Sequence, residues 1–241
     1  MNLSQEQRWL LRDKYNGNIT DEFYTDIGRL ESGEPLAYII GWQPFYGVKI
    51  YLDSRPLIPR PETEYLTSLI ISETKKDKPL KILDLCAGSG CIGVALLKAL
   101  PESIVHFAEI DKSHHVTILK NIRENDINEN RIKIFGGDLF ENISETYDII
   151  VTNPPYINPE LIHRVDQSTL KFEPEQALFG GHNGMQIITK IAQNASNFMN
   201  PGTILWIEHE PEQVSEIQGL LPGSEAIKDQ FKIGRFTKWK K

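Results

Sequence analysis

The sequence predicts an α/β protein: a largely parallel sheet covered by helices on both faces, with an antiparallel hairpin added at one edge. Three observations predict it. From Leu80 onward, short apolar runs alternate with segments of helical period, the pattern of a parallel sheet whose crossovers are helices. One such run enters a glycine-containing turn that opens a helix, over residues 82–90, as at the nucleotide end of doubly wound sheets. Two strand-like pieces, 226–231 and 235–239, close the chain around a turn at Gly234,.

Two short helical patterns come first. One covers 4–14, with Trp9, Leu10 and Leu11 apolar; the other covers 21–31, capped by Thr20 and stopped near Gly33 and Pro35,. Alone they cannot enclose a core. Between 39 and 52 the residues Phe45, Tyr46, Gly47, Val48, Ile50 and Leu52 alternate around a glycine, which predicts a hairpin. In 57–64 two prolines precede Glu62 and Glu64, a helix start with acids in its first turn. Strands are then expected at 81–85, 104–108, 132–135, 148–152 and 203–208, and helices at 92–100, 113–125, 185–199 and 211–220,. The expected division is a helical element over 1–40, a hairpin linker over 41–60 and one principal domain over 61–241.

Composition narrows the function. With 241 residues, 40% of them hydrophobic, the chain can bury one substantial core. Lys and Arg total 26 against 33 Asp and Glu, a formal charge of -7, which repels a phosphate backbone unless basic residues cluster. Only Lys238, Lys240 and Lys241 do so, and they read as a solvated chain end, so direct nucleic-acid binding is not expected. Cys86 and Cys91 have neither zinc nor disulfide spacing, which suits a reducing compartment. The polar stretch 1–13 is not a signal peptide and no segment reads as a membrane span, so a soluble, cytoplasmic protein is expected. The six histidines are scattered; each reads as a packing or surface residue, and no metal site is expected.

Four motifs carry chemistry. In Ile82-Leu83-Asp84-Leu85-Cys86-Ala87-Gly88-Ser89-Gly90, glycines let the backbone approach a ligand at a strand's carboxyl end; a purely structural turn is the alternative. The loop lacks both the full dinucleotide fingerprint and the Lys-Ser/Thr of a phosphate loop,. About 20 residues on lies Glu109-Ile110-Asp111, where an acid can accept from both hydroxyls of a ribose. Either acid could do so, and Asp111 before Ser113 also suits a helix cap. At Gly137-Asp138-Leu139 a carboxylate can accept from an adenine amino group while the leucine packs on the ring, or it can be a plain turn acid. The most telling is Asn153-Pro154-Pro155-Tyr156, directly after an apolar strand. A side-chain amide oxygen and a backbone carbonyl in a rigid turn can each accept a hydrogen from a planar NH2 group, with Tyr156 as a flat face beside it.

Asn-Pro-Pro-Tyr with Asp-Leu-x-x-Gly-Ser-Gly resembles the seven-stranded, Rossmann-like class I methyltransferases that modify exocyclic or amide nitrogens. Gly33 to Gly41 (GEPLAYIIG), Phe45-Tyr46-Gly47 and Leu57 to Glu64 (LIPRPETE) resemble one branch, the PrmC/HemK peptide chain release factor glutamine methyltransferases. Glu173-Pro174, Ala177 to Gly181 with Gly184, Ile207-Glu208 and Gln213 continue the likeness, which spans roughly residues 33–236. The resemblance implies S-adenosyl-L-methionine as cofactor. It implies that Asp84, Cys86, Ala87, Gly88, Ser89 and Gly90 surround its methionine part, Glu109 its ribose, and Asp138 and Leu139 its adenine, with Asn153 also contacting the cofactor. Asn153, Pro154, Pro155 and Tyr156 would hold the acceptor, with Asn153, Pro154 and Tyr156 as the catalytic set.

The implied reaction is N5-methylation of the glutamine in the Gly-Gly-Gln motif of class 1 release factors, a step connected with translation termination. The alternatives are another protein glutamine, a nucleic-acid base amino group, or a silent cofactor-binding scaffold. Two departures stand out. The family usually has Asp where this chain has Glu109, and it carries a multi-helix amino-terminal domain where only about 32 residues precede Gly33.

Overall fold

The computed structural model describes residues 3–75 and 78–241; the first two residues of the expected 1–40 element lie outside them. Helix α1 (Gln5–Asp13) starts at a capping box: Ser4 accepts from the Gln7 N–H while the Gln7 side chain accepts from Ser4 N,. Helix α2 (Asp21–Glu31) starts where Thr20 accepts from the Phe23 N–H, as expected. A third helix, α3 (Leu36–Ile40), ends at Gly41 with φ 92°. Leu10, Phe23 and Ile39 form a small core among the three. This corrects the hairpin expected over 39–52: Ile39 is drawn into that core, Gly41 stops the helix, and β1 (Trp42–Phe45) and β2 (Val48–Tyr51) begin after it. Tyr46 (φ 41°) and Gly47 (φ 77°) make the tight turn between them, the left-handed pair that matches strand twist.

The hairpin is held by side-chain amides. Asn121 Oδ1 accepts from Tyr51 N and its Nδ2 donates to Tyr51 O, and Asn125 does the same for Lys49. These amides extend the edge of β2 that faces away from β1.

Helix α4 (Pro61–Glu73) has Pro61 in its first turn, where a missing N–H costs nothing. The main sheet follows: β3 (Lys81–Leu85), β4 (Ile104–Ala108), β5 (Ile132–Phe135), β6 (Tyr147–Thr152), β7 (Met199–Glu208), β8 (Glu225–Lys228) and β9 (Gly234–Lys240). Their order is β5-β4-β3-β6-β7-β9-β8. The first five strands are parallel, and β9 runs antiparallel to both β7 and β8. This is the seven-stranded sheet with an antiparallel carboxyl-terminal pair that the sequence predicts. The later strand, β9, inserts beside β7 and leaves β8 at the edge.

Helices α5 (Cys91–Ala99) and α6 (Lys112–Glu124) pack with α4 in one hydrophobic layer, through residues such as Leu66, Ile70, Val94 and Ile118. Helices α8 (Gln186–Asn194) and α9 (Val214–Leu220) bury Ile188, Ile191 and Ile217 in the other. The helix expected over 185–199 stops at Asn194. A tight turn over Ala195–Phe198 follows, and Met199 already pairs with Tyr147, so β7 begins before the expected Thr203. Short α7 (Gln167–Phe172) and its flanking turns, between β6 and α8, were not expected. No helix among the described residues is long and apolar enough to cross a membrane.

Candidate active site

The strand order reverses between β4 and β6, on either side of β3, and the loops leaving the carboxyl ends of these strands diverge there. The loop after β3 turns sharply: Cys86, Gly88 and Gly90 have φ of 62°, 55° and 77°. The glycines differ in purpose. A Cβ on Gly88 would meet nothing nearer than Pro56 at 4.0 Å, whereas one on Gly93 would meet the Phe107 ring at 2.2 Å. Gly88 therefore leaves open space, and Gly93 lets α5 press against β4. The Ser89 carbonyl accepts from Asn121 Nδ2, which ties this loop to the hairpin clasp. Both cysteines are free thiols, and burial pushes both thiol pKa values up, so neither is poised to ionise,.

The acids at the two next strand ends separate by role. Glu109, buried, accepts from Gly88 N at 2.7 Å and Asp111 N at 2.8 Å. Asp111 accepts from the Ser113 N–H and caps α6, the second of the two roles weighed for it. Asp138, half exposed, pairs with Lys190 Nζ at 2.9 Å, and Leu139 takes φ 51°. Asp84 lies beneath the loop, 1% exposed; its Oδ2 accepts from Gly93 N, and among the described residues Oδ1 has no partner. Burial pushes its pKa up to about 8,.

Asn153 leaves the end of β6, and its Nδ2 donates to Thr63 Oγ1 at 3.0 Å. Thr63, in the first turn of α4, donates in turn to Glu208 Oε2 at 2.9 Å, and Tyr156 OH donates to Glu208 Oε1 at 3.2 Å. Glu208, 1% exposed at the end of β7, is pushed up to about 7 by burial, against the pull of these two donors. Burial and the neighbouring Glu208 charge hold the Tyr156 phenol well above its ordinary range. Behind the turn, Gln213 Nε2 donates to the Tyr156 carbonyl at 2.9 Å. A Cβ on Gly184 would come within 2.0 Å of that carbonyl oxygen, and one on Gly180 within 2.6 Å of the Pro155 carbonyl. The glycines of 180–184 thus let one loop press directly on the backbone of the other. Glu173 accepts from Ile58 N and Arg60 Nη2, fastening the segment before α4 beside them.

Two cavities meet at Asn153. The smaller, about 250 Å³, is lined by Cys86, Gly88, Glu109, Asp138, Leu139 and Pro155, with apolar Ile110 alongside. The larger, about 850 Å³, is lined by Pro154, Tyr156, Arg60, Glu208 and Gln213 among others. Asn153, Leu57 and Ala177 line both. The expected residues are therefore brought together, except that Asp84, Ala87, Ser89 and Gly90 are buried and line neither cavity. Sequence reasoning assigned no role to Thr63, or to Glu208 beyond its place in the likeness. The acidic first turn of α4 and the acid closing the apolar run of β7 were the available signals.

The chain matches the family model described as Methyltransferase small domain over residues 62–171. It is 36% identical over 215 residues to the release factor glutamine methyltransferase of Lactococcus lactis subsp. lactis (strain IL1403), covering 88% of this chain and 77% of that one. It is 40% identical over 224 residues to the release factor glutamine methyltransferase of Streptococcus pneumoniae (strain ATCC BAA-255 / R6), covering 90% and 78%. Its fold is similar to that of a crystal structure of a methyltransferase from Pyrococcus furiosus, with a TM-score of 0.54 at 17% identity, over 89% of this chain and 95% of the other. Sequence likeness of this extent, on a sheet of this order with an Asn-Pro-Pro-Tyr turn at its reversal, makes the chain a member of the release factor glutamine methyltransferase family.

Proposed function

We propose that this enzyme methylates N5 of the glutamine side chain in the Gly-Gly-Gln motif of class 1 peptide chain release factors, using S-adenosyl-L-methionine. One observation carries the reading beyond family membership. The Asn153 nitrogen is committed to Thr63, so its oxygen is the atom left to accept, on a residue that lines both cavities. Paired with the Pro154 carbonyl, it offers two acceptors for the two hydrogens of a primary amide.

The smaller cavity suits the methyl donor. Its carboxylates, Glu109 and Asp138, serve ribose hydroxyls and an adenine amino group. Leu139 and Ile110 offer apolar surface to a base, and Gly88 has open space where a side chain would stand. When bound, S-adenosyl-L-methionine supplies a methyl on a positively charged sulfur, which leaves as a neutral thioether.

The protein's part is to hold the amide. An amide nitrogen is a poor nucleophile because its lone pair is delocalised into the carbonyl. Asn153 and Pro154 orient it and favour pyramidalisation, and Tyr156 packs against it. Held in this way, the nitrogen would be placed to take the methyl and to give up its proton to water.

We read residues 1–40 as a docking element, 41–60 as a linker and 61–241 as the methyltransferase domain. The separate small core of α1–α3 supports this division. A cytoplasmic location goes with a release factor as substrate.

The test uses the purified chain, labelled S-adenosyl-L-methionine, an intact class 1 release factor and its Gln→Ala loop variant, followed by peptide mapping. Label on the wild-type glutamine alone is the expected result. Equal labelling of both proteins, or label only on nucleic acid when cell extract is supplied, would overturn the reading.

A further inference from the structure

Asn153 holds its amide to a buried carboxyl through one hydroxyl, and hydrogen-bond direction along that chain decides which end of the amide faces the acceptor. A carboxylate only accepts, a hydroxyl donates once, and the two ends of a side-chain amide have opposite polarity. With Glu208 ionised, both Thr63 and Tyr156 must donate to it. The Thr63 hydrogen is then spent, so Thr63 can only accept from Asn153, and the Asn153 NH2 group turns towards it. If Glu208 donated to Thr63 instead, the Thr63 hydrogen would be free to go to Asn153 Oδ1. The amide would turn over and present NH2 to the NH2 of the acceptor.

We propose that Glu208 is a positioning residue that sets the orientation of the Asn153 amide through Thr63, so that the ionised form of Glu208 is the active one. The inference rests on the assignment of Asn153 to the acceptor amide.

The surroundings place this switch in the neutral range. Burial raises Glu208 to about 7, Glu62 from α4 pushes the same way, and Arg235 from β9 opposes it together with the two donors. The other titratable groups near it are Tyr156 and Cys91, both held in their neutral forms by burial. His209 and Glu210 follow it in the chain. His209 is buried against Thr237 Oγ1 with its pKa lowered by burial, and Glu210 pairs with Arg235. The acceptor amide has no ionisation in this range, so it does not itself produce a limb of the pH profile near neutrality; loss of the limb in a Glu208 variant assigns it to the enzyme.

The experiment compares wild type, Glu208→Gln, Thr63→Val and Thr63→Ser with a release factor as substrate across pH 5.5–9, after thermal melts establish folding. Wild-type kcat should rise with pH through a value near 7. Glu208→Gln, whose side-chain oxygen can still accept from Thr63 while its nitrogen donates to Tyr156 OH, should lose that limb and keep a kcat independent of pH, while KM for S-adenosyl-L-methionine stays near wild type. Thr63→Val, which removes the relaying hydroxyl, should lose about 10²-fold in kcat, the scale of a misplaced catalytic contact, together with the limb, and Thr63→Ser should restore most of the loss. If Glu208→Gln does not fold, the Thr63 pair decides alone.

The limb retained in Glu208→Gln, or near-normal kcat in Thr63→Val, would overturn the proposal while leaving the methylation reading in place. Wild type that methylates no glutamine brings down the functional reading and the proposal with it.

Discussion

The Glu109 carboxylate ties the end of β4 to the loop after β3, accepting from the Gly88 N–H at 2.7 Å with one oxygen and from Asp111 N with the other. Asp111 spends its own side chain on capping α6. Glu109→Ala should therefore weaken S-adenosyl-L-methionine binding by roughly 10- to 100-fold, the equivalent of ~1.5–3 kcal/mol for hydrogen bonds to a charged group. Asp111→Ala should cost less in binding and about 1 kcal/mol in stability through the lost cap. Calorimetric titration of both variants checks the order, and the reverse order would move the ribose to Asp111.

Asn153→Ala should lose about 10²-fold or more of methyl transfer, the usual scale for one oriented donor or acceptor at a reacting group. Thr63 keeps its bond to Glu208 in this variant, so the fold should be retained. Initial rates with a release factor, beside a thermal melt, check it. Near-normal turnover would remove Asn153 from the amide clamp.

At Gly184, with φ 71°, a Cβ would sit 2.0 Å from the Tyr156 carbonyl oxygen. Gly184→Ala should push the Asn-Pro-Pro-Tyr turn out of place. Stability should fall by about 1–3 kcal/mol, as for overpacking elsewhere, and turnover should fall further than cofactor affinity. Urea unfolding and calorimetry on the same preparation separate these effects. Equal losses in turnover and cofactor affinity would mean that the turn had not moved independently of the smaller cavity.

Asp84 makes the stability of the fold depend on pH. Burial raises its carboxyl from 3.8 in a free chain to about 8 in the folded protein, so the folded state binds the proton more tightly. Its stability contribution is present in full below 3.8 and is lost as pH rises towards 8. Asp84→Asn keeps an acceptor for Gly93 N and removes the titration. The stability of the variant relative to wild type should therefore climb steadily between pH 4 and 8. Urea midpoints across that range measure it, and a flat difference would mean that Asp84 is not protonated in the fold.

Much of this was legible in the sequence because it is local. The loop from Asp84 to Gly90, the acid at Glu109 and the Asn153 to Tyr156 turn each follow a short apolar run, and such runs mark strands. What escaped is what the fold assembles over distance. Thr63 meets Asn153 from 90 residues away and Glu208 from 145, and no periodic pattern encodes such a meeting. Helix α3 escaped because five residues are too few to show a period. Its Ile39 reads equally well as a strand residue until Leu10 and Phe23 are seen to enclose it.

The amides of Asn121 and Asn125 that clasp the β1–β2 hairpin have a consequence in time. A lone two-stranded hairpin is marginal in water. Its partners lie 70 and 76 residues further along the chain, beyond β3, α5 and β4. During synthesis, residues 42–51 emerge well before the surface that holds them exists, and contacts of such sequence separation form slowly. Pulse-labelled hydrogen exchange during refolding should show the Lys49 and Tyr51 amides protected after those of β3 and β4, and simultaneous protection would contradict it. The clasp that completes the outer edge of β2 can then form only after α6 is in place beside it,.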